Sequence, residues 1–464
     1  MRTFLTAFLI SALLSLAAAQ TPVPLEEYFR LGLRQNLALK QKEADYELSL
    51  LALEKARGMF LPNLTFDSRY SRAGGGRMID FPLGDLFNPV YGSLNQIFQA
   101  LGQPTQNFPL LENQQIPFLR EREHETKLRL IQPVFQPALY FNAEIRRQQV
   151  MARQAALNSY KNILIRDIGL AYFNYLQARR GEKIYRGALK VMRENAALSA
   201  SLLKNGVVTR DVTQSARAEL AQLEQQLIEA DNKVRLAASY FNFLLNRPLD
   251  DSIRVDNSLP FSTLEMADVQ ALRQQALKNR YEFMQLSSGQ RARKAQGRLH
   301  GAAYLPTLSL VADYGFQGES YRFSNKDDYW MASALLQWNI YNGGQDETER
   351  QMALVSLKQL QLRERELTRQ IELDVDNQYR RLIYLQKSFW AAQKQVRAAE
   401  EAFRIIRARY KAGESLWLNL SDAREKMTRA RLALEISQLE IYKQRINLAA
   451  ATGALVQPFL SKEK

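Results

Sequence analysis

Hydrophobic positions in this chain follow two periods, one helical and one strand-like, and the same succession of the two occurs twice. From Gln345 to Ala412 there are 68 residues without Gly or Pro. Within them Leu382, Leu385, Phe389, Ala392, Val396, Ala399, Phe403, Ile406 and Tyr410 recur at steps of three and four. That heptad seam predicts a coiled-coil helix about 100 Å long, at about 1.5 Å per residue. Gly413 interrupts it, and Glu414 to Thr452 carries a second seam through Leu420, Ala423, Met427, Ala430, Leu434 and Ile441. A helix, a glycine turn and a returning helix predict an antiparallel hairpin. The first half reads alike, with Ala138 to Asn205, a turn at Gly206, and Val207 to Arg247 before Pro248. Gly169, Gly181 and Gly187 predict a softer or more bent first arm. Further helices over about 25–57 and 265–300 each lead to a Leu-Pro dipeptide that begins a strand.

Four segments alternate with period two. Leu64, Phe66 and Tyr70 alternate with Thr65, Asp67 and Arg69; Leu128 and Leu130 with Lys127 and Arg129; Leu308, Leu310, Ala312 and Tyr314 with Ser309 and Asp313; Trp330, Ala332, Ala334, Leu336 and Trp338 with Ser333 and Gln337. Each is about 9–11 residues long, with one apolar side and aromatics near the ends, the pattern of a transmembrane β-strand. One such segment alone reads better as a strand of a soluble sandwich. Four copies attached to 100 Å helices reverse that reading. Between the first two lies Ala73 to Glu123, rich in Gly, Pro, Asn and Gln, which reads as a long surface loop with a few aliphatic anchors; its counterpart, about 317–328, is short. The triplet Gly74-Gly75-Gly76 lacks the strand and helix flanks of a phosphate cradle.

The two halves are copies. Leu33-Arg34-Gln35-Asn36 and Leu61-Pro62-Asn63-Leu64 reappear 244 positions on as Leu277-Lys278-Asn279-Arg280 and Leu305-Pro306-Thr307-Leu308. Pro133-Val134-Phe135 matches Asn339-Ile340-Tyr341 at 206, and Asn205-Gly206 matches Ala412-Gly413 at 207, so the second copy has lost roughly 38 residues from one loop.

Composition adds an address and removes chemistry. Met1-Arg2-Thr3, an apolar run from Phe4 to Leu16 and Ala17-Ala18-Ala19 before Gln20 read as a secretory signal over 1–19. No other stretch has the length and hydropathy of a spanning helix. With no cysteine, disulfides and thiol chemistry are excluded. The net charge of +15 is spread along helices among acids, which reads as solvated helix faces rather than a nucleic-acid site. The histidines, His124 and His300, sit beside strand or helix ends as surface residues. No cofactor, metal or enzymatic constellation is read.

Four strands cannot close a barrel, and an open edge cannot face lipid, so the sheet has to be shared between copies. Three copies give 12 strands and an aqueous lumen; two give 8, which side chains fill. The fold class read here is an α+β membrane protein: a duplicated strand-strand-long hairpin unit whose four strands per chain form a shared 12-strand barrel, continuous with a periplasmic α-helical coiled-coil barrel. The first repeat takes 20–247, with strands near 62–72 and 126–135, the loop 73–123 and the hairpin 138–247. A linker occupies 248–262. The second repeat takes 263–453, with strands near 305–316 and 329–340 and the hairpin 345–452, before a tail at 454–464.

The duplication, the Leu-Pro starts, the passages Pro133-Val134-Phe135-Gln136-Pro137 and Asn339-Ile340-Tyr341-Asn342-Gly343-Gly344, and the turns Asn205-Gly206 and Lys411-Ala412-Gly413 together resemble the TolC-type outer-membrane efflux proteins, from about Pro24 to Gly453. The resemblance implies a homotrimeric exit duct in outer-membrane lipid, with a periplasmic adaptor and an inner-membrane transporter as partners and a large periplasmic helical part. It implies a gate at the second hairpin's tip. The family's paired acids after the turn glycine match Gly413, Asn419, Asp422 and Ala423, leaving one carboxylate ring at Asp422. A Tyr–Asp latch maps to Tyr410 and Asp211; its supporting Arg maps to Ser415, with Arg210 as a substitute. Without the resemblance, Asp211 and Asp422 read as ordinary acids near helix N-termini. The alternative from another class is a soluble periplasmic coiled-coil adaptor or scaffold, which leaves the four strands unexplained.

Overall fold

The structure, a computed structural model, describes residues 23–255, 268–455 and 458. The signal read over 1–19, residues 256–262 of the linker and most of the tail lie outside the described residues. In chain order come α1 (Val23–Gln35), α2 (Leu37–Gly58), β1 (Asn63–Arg72), β2 (Met78–Phe81), α3 (Leu83–Ala100), β3 (Gln114–Pro117), β4 (Arg122–Phe135), α4 (Pro137–Lys204) and α5 (Arg210–Leu244). Then follow α6 (Val269–Asn279), α7 (Tyr281–Gly301), β5 (Thr307–Gly318), β6 (Asp328–Gln337), α8 (Gln345–Lys411) and α9 (Trp417–Ala451). No described helix is long and apolar enough to cross a membrane.

The described residues divide into two compact units, the first of 23–53, 144–255, 268–296 and 351–455, the second of 54–143 and 297–350. The helices α4 and α8 run unbroken for 68 and 67 residues, starting in the second unit and continuing through the first; α4 stays helical through Gly169, Gly181 and Gly187. Leu382, Leu385, Phe389, Ala392, Val396, Phe403 and Tyr410 of the α8 seam are all buried. Where a single helix was expected before each strand, there are two, broken at Asn36 and at Arg280, equivalent positions of the two repeats. At both breaks the side chain reaches the end of its own repeat's returning helix: Asn36 donates to the Leu244 carbonyl at 2.9 Å and Arg280 to the Ala451 carbonyl at 3.3 Å. Those acceptors are themselves 207 positions apart. Last-turn carbonyls have no intrahelical partner, so a donor placed there satisfies them and fixes how the short helices meet the hairpin.

In the second unit, β1, β4, β5 and β6 form one antiparallel sheet in that order, which leaves β1 and β6 as edges. Its register sets Phe66, Leu128, Tyr314 and Trp330 in one row and Leu64, Leu130, Ala312 and Ala332 in the next. That face is apolar and open, with Phe66 68% and Trp330 78% exposed. The opposite face is charged and internally paired. Arg129 donates through Nε and Nη2 to the two oxygens of Asp313, both at 2.8 Å, and Glu125 accepts from Lys127 at 2.6 Å and from the Tyr329 hydroxyl at 2.8 Å. The side chain of Asp313 is 0% exposed.

Two readings need correction. The connection over 73–123 is not a plain loop: β2 pairs with β3, and α3 spans 18 residues despite Gly84, Pro89 and Gly92. Asparagine side chains hold it. Asn88 both donates to and accepts from the backbone of Leu111 (2.9 and 3.0 Å), Asn95 does the same with Gln106 (3.0 and 2.9 Å), and Asn113 bonds the Asp85 amide and carboxylate. Local breakers are outweighed by side-chain amides that act as a second strand of backbone. Nor are the histidines plain surface residues. His124 is fully buried, its Nε2 2.9 Å from the Ser320 carbonyl and its ring stacked on Tyr321. His300 meets Glu349 through Nδ1 at 2.6 Å.

Candidate functional site

The two hairpin turns are built identically. At Gly206 (φ +69°) the Val207 amide donates to the Leu202 carbonyl and the Gly206 amide to Leu203; at Gly413 (φ +76°) Glu414 donates to Arg409 and Gly413 to Tyr410. This double bond pattern closes a helix only with a left-handed residue at the turn, which glycine adopts without strain. The turns lie side by side, since a Cβ on Gly413 would stand 3.5 Å from Val207 Cγ1. Below them one apolar cluster joins the hairpins, with Met192 of α4, Ala216 and Leu223 of α5, Tyr410 of α8, and Trp417 and Leu420 of α9.

Among the described residues, two polar contacts cross this seam in its buried part. Ser199 of α4 donates its hydroxyl to the Asn195 carbonyl at 3.0 Å, so at the 2.9 Å contact with Tyr410 the tyrosine hydroxyl is the donor. The second converges on Glu219 of α5. Its Oε1 accepts from Trp417 Nε1 at 3.0 Å, and its Oε2 from Ser421 Oγ at 2.6 Å and Arg424 Nη2 at 3.0 Å. All three donors lie on one face of α9, at steps of four and three, and the side chains of Arg424 and Glu219 are only 9% and 22% exposed. Beside them Arg407 of α8 meets Glu194 of α4 at 2.9 Å.

The latch expected between Tyr410 and Asp211 is not made within the chain. Tyr410 faces Ser199 in the buried seam, while Asp211 lies exposed in the first turn of α5. There the Thr209 hydroxyl, then the backbone amides of Asp211 itself and Val212, hold its carboxyl below the usual aspartate range. A depressed carboxyl contributes stability above its unfolded pKa, and that contribution is lost as pH falls through the folded value. Asp211→Asn is therefore expected to lower thermal stability slightly at neutral pH and not in acid, as a calorimetric pH series would read. Asn419 and Asp422 are exposed on α9, Asp422 pairing with Lys426 at 2.7 Å. Arg210 is exposed and Ser415 half-buried at the two turns. Sequence reasoning missed Glu219, Ser199, Trp417 and Arg424. Its available signal was the donor stripe Trp417, Ser421, Arg424 beside the α9 seam.

A strand pair followed by a long helical hairpin, present twice, is the fold that this chain shares with solved outer-membrane channels. Residues 272–454 match the model of the family described as outer membrane efflux protein, which bears out the resemblance read from the sequence. The chain is similar to the proteases secretion protein PrtF of Dickeya chrysanthemi, 23% identical over 330 residues, 69% of this chain and 71% of that one. Among solved structures it shares the fold of the Campylobacter jejuni CmeC outer membrane channel (TM-score 0.76, 15% identity, 95% of this chain and 89% of that one). It also shares that of the outer membrane protein VceC of Vibrio cholerae (TM-score 0.73, 16% identity, 92% and 96%).

Proposed function

We propose that this chain is the outer-membrane exit duct of an efflux or type I secretion system, a passive channel that takes its cargo from an inner-membrane transporter through a periplasmic adaptor. One observation carries the reading: a four-stranded sheet with an apolar face open along its whole width and with both edges, β1 and β6, unpaired. In lipid each unpaired backbone group costs several kcal/mol, so the edges have to meet those of other copies. Three copies close a 12-strand barrel with the charged face, Arg129 and Asp313 included, toward an aqueous lumen. The name of the curated relative, a protease secretion protein, supports polypeptide cargo.

The gate of such a duct is the pair of tips, with α8 and α9 moving against α4 and α5. The latch is Glu219, with Tyr410 and Ser199 as a weaker second contact. Asp422 supplies one acid per copy near the constriction, tempered by Lys426 in the next turn. Asp422→Asn is expected to reduce cation selectivity only modestly, as reversal potentials in planar bilayers would read.

Cross-linking in mild detergent should report three protomers in the outer-membrane fraction; a soluble periplasmic monomer would sink the duct reading. Protease added to intact cells should cut within 73–123, the connection at the strand ends away from the long hairpins, and spare those hairpins. Asn88→Ala, which removes both bonds to Leu111, should speed that cleavage. Cutting at Gly206 or Gly413 in intact cells would mean that the topology is inverted.

A further inference from the structure

The helix α3 has one face that the chain leaves uncovered. Leu83, Phe87, Val90, Leu94, Ile97 and Leu101 follow each other at steps of four and three, and from Phe87 onward every one is exposed, Ile97 at 55% and Leu101 at 71%. The adjoining face is taken. Gly84 leaves no room for a side chain, since a Cβ there would stand 2.4 Å from the Leu111 carbonyl, Asn88 and Asn95 are bonded to the returning segment, and Tyr91 stacks on Phe108 at 4.7 Å. The free stripe is thus fixed in position by its own connection.

We infer that this stripe is an interface between copies of the chain: three α3 helices pack seam to seam into a short coiled coil beyond the strands. The inference rests on the trimeric duct reading. Two observations select a second copy over a lipid surface. Strict alternation of four and three is the spacing that seats apolar residues into another helix, whereas insertion in a bilayer needs only a broad apolar face. From Met78 to Leu119 there is also no Lys or Arg, against Asp80, Asp85 and Glu112, in a chain of net charge +15. An interfacial helix that binds anionic headgroups has the opposite bias. Topology supplies the partners: α3 lies between the edge strand β1 and its neighbour β4, so closure of a shared barrel brings one α3 from each copy to the same end. A packed trio there narrows the outer mouth.

The test uses the absence of cysteine. Leu94→Cys and Ile97→Cys place one thiol per chain on the stripe, and Gln96→Cys places one on the opposite face. In intact cells under mild oxidation, the stripe variants should give a disulfide-linked pair at about tenfold or more over Gln96→Cys, because packed thiols meet at high effective concentration. Trimers on unheated gels establish that each variant folds. Trimers without that excess overturn the seam and leave the duct reading standing. If the stripe thiols are also shielded from a water-soluble maleimide, lipid covers the face; if they are labelled as fast as Gln96→Cys, nothing does. Absence of trimers in the unsubstituted chain overturns both readings.

Discussion

Glu219→Ala is expected to convert the duct to a more open form, with higher single-channel conductance in planar bilayers and greater sensitivity of cells to large antibiotics. The carboxylate accepts from Trp417, Ser421 and Arg424, and hydrogen bonds to a charged group contribute about 1.5–3 kcal/mol each. The three share one acceptor, so their values do not add. Removing it also leaves the buried Arg424 guanidinium without a carboxylate, and breaking a buried pair costs about 3–5 kcal/mol. Taking about 3 kcal/mol as the lower end, opening is favoured by roughly a hundredfold per copy, at about 1.4 kcal/mol per tenfold. Tyr410→Phe removes one neutral contact with Ser199, about 0.5–1.5 kcal/mol, and should act in the same direction more weakly. A double-mutant cycle of Glu219→Ala with Arg424→Met separates the pair from mere loss of packing: the double variant should open less than the sum of the two. Unchanged conductance for Glu219→Ala, in trimers of normal stability, would remove Glu219 from the gate.

Asp313→Ala should weaken the barrel more than any other single change on its charged face. It withdraws both acceptors from Arg129 and leaves that guanidinium and Lys127, 3.9 Å from the same carboxylate, as like charges on one strand. Trimers of this variant should dissociate at a clearly lower temperature in detergent. Adding Arg129→Met should recover much of the loss, because removing both partners of a buried pair is milder than removing one. A double variant no more stable than Asp313→Ala would show that Asp313 acts through something other than Arg129. The apolar face offers a contrast: Phe66→Leu keeps hydrocarbon toward hydrocarbon and should leave the temperature nearly unchanged.

The repeat, the four strands and the long hairpins were legible in the residues alone, because each rests on a local period or a local breaker. The heptad from Leu382 to Tyr410 is legible since every third or fourth residue meets the same neighbour, and Gly206 and Gly413 since only a left-handed turn ends both helices there. Even the broken short helices were encoded as a repeat, Asn36 and Arg280 holding equivalent places, but their capping role depends on Leu244 and Ala451, distant in the chain. The same limit governs the gate. Tyr410 was legible as a residue, whereas its partner was not: the choice of Ser199 over Asp211 follows from how α4 and α8 face one another across the seam. Glu219 reads as one acid among many on a solvated helix until three donors of α9 are seen to converge on it. In α3, Pro89 and the glycines spoke for a loop, and only the bonds of Asn88 and Asn95 to the returning segment, and of Asn113 on that segment back to Asp85, made a helix of it. Periodicity fixes which face of an element is apolar; which element meets that face is decided by tertiary packing, where contacts far apart in sequence compete on distance and geometry alone.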